Sequence, residues 1–132
     1  MTSILLRHAS AGDSSNWEGD DRLRPLDVRG RRQADELAAL LPRFEVRRIV
    51  SSPYVRCVET VEPLAAALGL KVETDDRLAE GAGRSALELL REDGTLGCTH
   101  GDVVEELLGH GLKKGAAALF RDGQIVQEIP AP

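Results

Sequence analysis

"ILLRHASAG", residues 4–12, sets three large apolar residues directly against Arg7 and His8 and then turns small and polar. A short apolar run with so abrupt an end reads as a buried strand, and here its exit carries two adjacent basic side chains. The arrangement recurs twice. Residues 47–50 lead into "SSPYVR" (51–56), which puts Arg56 about one turn into a following helix, and residues 96–99 pass straight to His100 and Gly101.

Working outward, strand candidates at 3–6, 47–50, 70–73 and 96–99 alternate with helical patterns, the order that places helices across a largely parallel sheet. Two further strands, 116–120 and 125–129, flank the turn "RDGQ" and read as a hairpin. Residues 27–41 put Ala34, Leu37, Ala38 and Leu41 on one helix face, with Asp27 to cap it and Pro42 to stop it. "SPYVRCVETVEPLAAALG" (52–69) reads as a helix capped by Ser52, with Pro53 at its first position, Gly69 at its end and Pro63 as a kink or a break. Helices are also expected over 84–93 and 102–108. The expected fold is an α/β three-layer sandwich, a mostly parallel central sheet flanked by helices, with residues 1–132 forming a single domain.

Composition narrows the function classes. Seventeen Lys and Arg against 22 Asp and Glu give a formal net charge of −5, which argues against general binding to nucleic acid or to an anionic membrane. No apolar run approaches a membrane span, and "MTSILLRHAS" lacks the basic start and long apolar region of a signal peptide, so a cytoplasmic location is expected. Cys57 and Cys98 are too few and too isolated for a disulfide framework and read as small, buried, reduced thiols.

In open α/β sheets, ligands bind outside the carboxyl ends of the strands, where loops and helix N-termini converge. Three strand exits bring Arg7, His8, Arg56 and His100 to that end of an otherwise acidic chain. Such a cluster suits a dianion like a phosphoryl group, whose oxygens match guanidinium forks. Ser10, Thr99 and Gly101, beside these exits, join the substrate-binding candidates. Each basic residue also has a plainer reading: strand-end cations reaching water, Arg56 on a helix surface paired with Glu59 or Glu62, His100 as a loop histidine. A zinc site from His8, His100 and Cys98 matches no compact ligand spacing, and the neighbouring arginines would repel a dication, so no metal is expected.

Four pieces, in order over residues 4–105, resemble the histidine phosphatase superfamily, which includes phosphoglycerate mutases and small phosphohistidine phosphatases of the SixA type: "LLRHASAG", "RPLDVRGRRQA", "SSPYVRCVET" and "CTHGDVV". "RHASAG", "GDD" with "RPL", "VRC" with "TVEPLAA", and the "CT" before the late His are similar to the phosphatase-type domain at the C-terminus of actinobacterial MutT-type Nudix hydrolases. No Nudix box is present in these residues.

The resemblance implies that His8 is a nucleophile which takes the phosphoryl group as a phosphohistidine before water removes it. It implies that Arg7, Arg56 and His100 neutralise and hold the group in transfer, and that Arg24 of "RPL" binds phosphate or the rest of the substrate. Glu80 in "DDRLAEGAG" is the implied general acid, with Asp13, Asp20 or Asp21 of the first loop as alternatives. No cofactor is implied. The expected partner is a small phosphorylated substrate or a phosphohistidine protein, since phosphohistidine, a nucleotide product and a sugar or acid phosphate present the same dianion. A phosphomutase and a phosphate-binding domain without catalysis are the rival readings, and the short chain argues for hydrolysis over the mutase. Two positions depart from the family pattern: Ala9 stands where glycine usually follows the histidine, and Asn16 is the only candidate for an asparagine often found a few residues on. Trp17 on the first loop is a candidate lid or stacking surface, and Lys113 or Lys114 a guide for anions.

Overall fold

The computed structural model describes residues 2–132. Strands β1 (Thr2–Arg7), β2 (Arg48–Ser51), β3 (Val72–Thr74), β4 (Thr95–Thr99), β5 (Ala117–Arg121) and β6 (Gln124–Ile129) form one sheet in the order β3-β2-β4-β1-β5-β6. The first four run parallel, and β5 and β6 extend the sheet antiparallel at the β1 edge. Helices α1 (Val28–Leu40) and α2 (Val55–Leu68) cover one face, where Leu37, Leu41, Val61 and Leu64 pack with Ile4, Leu6, Ile49 and Leu96. The other face is covered by α3 (Leu87–Leu90) and α4 (Gly101–Leu108), whose Leu90, Val104, Leu89 and Val103 pack with Leu5, Val50, Ala118 and Phe120. Alternate residues of β1 and β2 thus enter two different cores. This is why those strands are written as unbroken apolar runs rather than as an apolar and polar alternation.

Register brings the strand exits level. Arg7 lies opposite Thr99, and Ser51 opposite Cys98. The ladder then continues one residue further, with His8 N–H donating to Thr99 O at 3.0 Å and Ser52 N–H to Cys98 O at 2.9 Å. His8, Ser52 and His100 therefore emerge side by side from three adjacent strands.

The α/β three-layer architecture expected from the sequence is the one observed, with local differences that have physical causes. Helix α2 begins at Val55 behind Tyr54, not at Pro53, and Ser52 is not its cap: its hydroxyl accepts from Tyr54 N–H at 3.2 Å but also faces the imidazole of His100. Pro63 lies inside α2 without dividing it, and Gly69 closes the helix at φ 69°. Because Leu70 N–H still bonds back to Ala65 O, β3 starts only at Val72. The helix expected over 84–93 shrinks to Leu87–Leu90, since its flanks bond three residues back, Leu87 N–H to Arg84 O and Glu88 N–H to Ser85 O, in tight turns. The hairpin turn is Asp122-Gly123, with both φ positive at 53° and 81°, the conformation that matches strand twist in a two-residue loop.

Candidate active site

Beyond the carboxyl ends of β1, β2 and β4 lies an open cavity of about 370 Å³ whose lining includes Arg7, His8, Arg24, Arg56, Glu80 and His100. A second cavity, of about 410 Å³, opens at the amino end of β1 beside Leu87, Leu90 and Phe120 and has no histidine in its lining. The sequence thus brings its four basic strand-exit residues into one space. The rings of His8 and His100 are 5.6 Å apart between centroids.

His8 is 5 % exposed, and its Nδ1–H donates to Ala9 O at 2.7 Å. That bond fixes the tautomer, because a carbonyl can only accept, and leaves the lone pair on Nε2. Burial lowers the His8 pKa to about 3, aided by the positive charges of His100, Arg56 and Arg7 and opposed by the Ala9 hydrogen bond. At neutral pH the ring is uncharged, and its Nε2 lone pair is chemically able to accept a proton or attack an electrophile.

Contacts with residues distant in sequence hold this loop. Ala9 N–H donates to Thr60 Oγ1 at 3.0 Å, and the Thr60 hydroxyl donates to Arg56 O at 2.6 Å, which ties the residue after His8 to the turn of α2 that carries Arg56. Asp27 caps α1 through Gly30 N–H at 2.7 Å and accepts from Ser10 Oγ at 2.7 Å and Gly12 N–H at 3.0 Å. Burial works against its charge, yet those three bonds outweigh burial and hold its pKa below the usual value. Gly30 permits the approach: a Cβ there would stand 1.9 Å from Ser10 O. The departure at Ala9 is mild, because its φ lies outside the left-handed region.

Arg56 is 1 % exposed, which disposes of the surface reading. Its Nη1 donates to Asp21 O at 2.9 Å, and Nη2 lies 3.1 Å from Asp21 Oδ2 and 3.6 Å from Glu80 Oε1. Glu59, one of the surface partners considered, instead accepts from Leu26 N–H at 2.9 Å. Arg7 donates from Nη1 to Leu112 O at 2.6 Å and lies against Gly101, where a Cβ would come within 2.9 Å of Nη2. His100 Nε2 faces Ser52 Oγ at 2.8 Å and Cys57 Sγ at 3.6 Å. Three nitrogens in this group, Arg7 Nε, Arg56 Nε and His100 Nδ1, are buried without a hydrogen-bond partner. Leaving such a group unpaired costs about 1–3 kcal/mol, so three of them around one cavity mark a place built to receive acceptor oxygens.

Arg24 lines the cavity as expected and is 9 % exposed, its Nη1 donating to Ala11 O at 2.6 Å and its Nε to Asp21 Oδ1 at 2.9 Å. Asp21 therefore bridges Arg24 and Arg56, and the hydrogen bond from Arg24, with the charges of both arginines, holds its carboxyl below the usual range. Asp13 and Asp20, likewise lowered by hydrogen bonds from Ser15 and Arg22, are absent from the lining. Glu80 lies in the cavity with its side chain half exposed. Gly101 and Lys114 also line it.

Other expectations need correction. The Ser10 hydroxyl is spent on Asp27 and that of Thr99 on Leu78 O at 2.6 Å, so both residues stand behind the cavity rather than in its lining. Trp17 donates Nε1–H to Asp20 O on its own loop and does not line the cavity. Cys57 is buried, as expected, but it also touches the site, with Sγ 3.6 Å from His100 Nε2; burial is the strongest influence on both thiols and opposes their ionisation, pushing Cys98 well up. The role of Thr60 was written in the spacing of "SSPYVRCVET", four residues after Arg56, whereas the contacts of Ser52 and Cys57 with His100 span 48 and 43 residues and have no local signal.

A model of the histidine phosphatase superfamily (branch 1) matches residues 3–86. The chain belongs to that superfamily. It is 37% identical over 116 residues to an 8-oxo-(d)GTP phosphatase of Mycolicibacterium smegmatis, a match that takes in 81% of this chain and 36% of the relative, so the chain spans about a third of that protein's length. In fold, the chain resembles the protein histidine phosphatase SixA in complex with tungstate, with a TM-score of 0.77 over 98% of this chain and 97% of that one at 23% identity. A mycobacterial glucosyl-3-phosphoglycerate phosphatase is similar over 99% of both chains, with a TM-score of 0.74 and 17% identity. Among the described residues, no helix is long and apolar enough to cross a membrane.

Proposed function

We propose that this histidine phosphatase removes a phosphoryl group through a phosphohistidine formed on His8 Nε2, acting on a small phosphate ester or a protein phosphohistidine. The observation that carries the reading is the neutral His8, its tautomer fixed by Ala9, beside three buried basic nitrogens that lack acceptors. The phosphoryl group sits among Arg7, Arg56 and His100, which neutralise its oxygens as charge shifts toward the leaving group. His8 Nε2 attacks phosphorus, the bond to the leaving group breaks, and the leaving atom takes a proton from Glu80. Water then attacks the phosphohistidine, giving its proton to the Glu80 carboxylate as inorganic phosphate forms and His8 returns neutral. Glu80 suits this role better than Asp21, whose carboxylate is committed to two arginines.

Two relatives support the ligand class. The SixA structure is a complex with tungstate, a tetrahedral oxyanion like phosphate, and the Mycolicibacterium relative is named for a nucleotide substrate, which keeps nucleotide-derived phosphates beside phosphohistidine as substrates. Turnover of p-nitrophenyl phosphate and of a phosphohistidine protein tests the proposal. The wild-type protein should release phosphate and H8A should release none, while activity retained in H8A would remove the mechanism. If the wild-type protein binds phosphate but turns over neither compound, the domain is a phosphate binder.

A further inference from the structure

His100 shows an asymmetry that the reaction above does not use. Nε2 has two neighbours, Ser52 Oγ at 2.8 Å and Cys57 Sγ at 3.6 Å, and Nδ1 has none, although the side chain is 1 % exposed and lines the cavity. Ser52 is fully buried, and its oxygen already accepts from Tyr54 N–H at 3.2 Å. A hydroxyl has one proton to give. Nε2 of a neutral His100 is the strong acceptor beside it, and the alternative taker, the Cys57 sulfur, is a weak one. If neutral His100 instead carried its proton on Nε2, the Ser52 oxygen would accept twice and its own proton would be left to sulfur.

We infer that Ser52 is a positioning residue that selects the tautomer of His100, so that Nδ1 presents an N–H to the phosphoryl group whether the ring is neutral or charged. In the neutral ring Ser52 donates to Nε2, and the single ring proton sits on Nδ1. In the charged ring both nitrogens carry protons, Nε2–H donates to Ser52 Oγ, and Nδ1–H is unchanged. The serine hydroxyl serves both states because it can reverse its direction. The titratable groups that face His100 are His8 from the end of β1, Tyr54 with its ring centroid 4.5 Å away, Cys57 from α2, and, around the cavity that His100 lines, Arg7, Arg24, Arg56, Lys114 and the acids Glu80, Asp102 and Glu105. Of these and Ser52, only Ser52 and Cys57 are within hydrogen-bonding reach of Nε2.

This inference rests on the phosphatase reading for its consequence but not for its first test. With ¹⁵N-labelled histidine, and His100 assigned by comparison with H100Q, the wild-type protein in alkaline solution, with the nitrogen shifts themselves reporting a neutral ring, should show Nδ1 protonated and Nε2 bare. The reverse pattern overturns the inference, and because this measurement needs no variant of Ser52, misfolding of a variant cannot mask it. The second test compares S52A and S52T with wild type. In S52A kcat should fall by roughly 10- to 100-fold, approaching the cost of removing one donor from an oxyanion site, with KM changing much less. S52T, which keeps the hydroxyl, should recover most of the loss. A loss confined to KM, or S52T as impaired as S52A, overturns the role of Ser52. If H8A keeps wild-type turnover, the phosphatase reading fails while the tautomer result stands on its own.

Discussion

Arg48 and Arg56 stand at opposite ends of β2 and are satisfied in opposite ways. Arg48, at the amino end of β2, gives Nε and Nη2 to Glu73 at 2.9 and 3.0 Å and Nη1 to Glu92. Hydrogen bonds donated to these two carboxylates raise its pKa above the ordinary arginine value, against a smaller cost of burial. Arg56, past the carboxyl end, is far more deeply buried, yet one guanidinium nitrogen has no partner and its carboxylates are shared or distant, Asp21 with Arg24 and Glu80 at 3.6 Å. The exposed arginine is saturated and the buried one is not. An arginine whose donors are matched by its own chain fastens the fold, whereas a buried guanidinium left short of acceptors is arranged for something the chain does not itself contain.

The sharpest way to break that contrast is to remove each arginine in turn. R56A should lower kcat/KM by about 10³-fold or more, and R56K should recover little, because an ammonium cannot reproduce the planar fork. Steady-state kinetics on p-nitrophenyl phosphate would measure both, and an R48A variant as impaired as R56A would erase the distinction. Next in size, E80Q should slow the first step, release of the leaving group measured in a single-turnover burst, by about 10² to 10⁴-fold for an ester with a poor leaving group and leave that step nearly unaffected for an acyl phosphate, since an easily expelled group needs no proton. Equal losses in that step for both substrates would assign Glu80 to binding instead.

A smaller effect concerns stability. The pKa of His8 falls from 6.5 to about 3 on folding, so between those values the unfolded chain holds a proton that the native one does not. Stability contributed by the neutral ring is present above pH 6.5 and is lost as pH falls toward 3. Denaturant unfolding of wild type against H8Q should therefore show an extra slope of about 1.4 kcal/mol per pH unit within that window. Parallel curves would mean that His8 is not buried as an uncharged ring. Smallest of all, R48A should cost at most about 1 kcal/mol, less in high salt, with turnover unchanged, as befits a partly exposed ion pair.

What the sequence could and could not disclose follows from distance along the chain. The strand exits were legible because apolar runs end abruptly at Arg7, Ser51 and Thr99, and parallel pairing brings such ends together. The position of Arg56 in "SSPYVR" could be read for the same reason. Its partners could not, because the Asp21 carbonyl that holds it lies 35 residues earlier on an irregular loop. Ser52 before Pro53 is locally indistinguishable from a helix cap, and only the return of the chain 48 residues later supplies the imidazole that competes for its hydroxyl. The segment around Leu87, Leu89 and Leu90 carries apolar spacing that suits α-helix and tighter turns alike, and the choice between them fell to packing on Val50 and Leu78.

The central claim, that His8 Nε2 takes the phosphoryl group before water does, is tested most directly by stereochemistry at phosphorus. Hydrolysis of a phosphorothioate ester made chiral with oxygen isotopes, in isotopically labelled water, should proceed with overall retention, because two in-line displacements invert the centre twice. Inversion would mean that water attacks the substrate itself, with His8 at most a base, and would contradict the account.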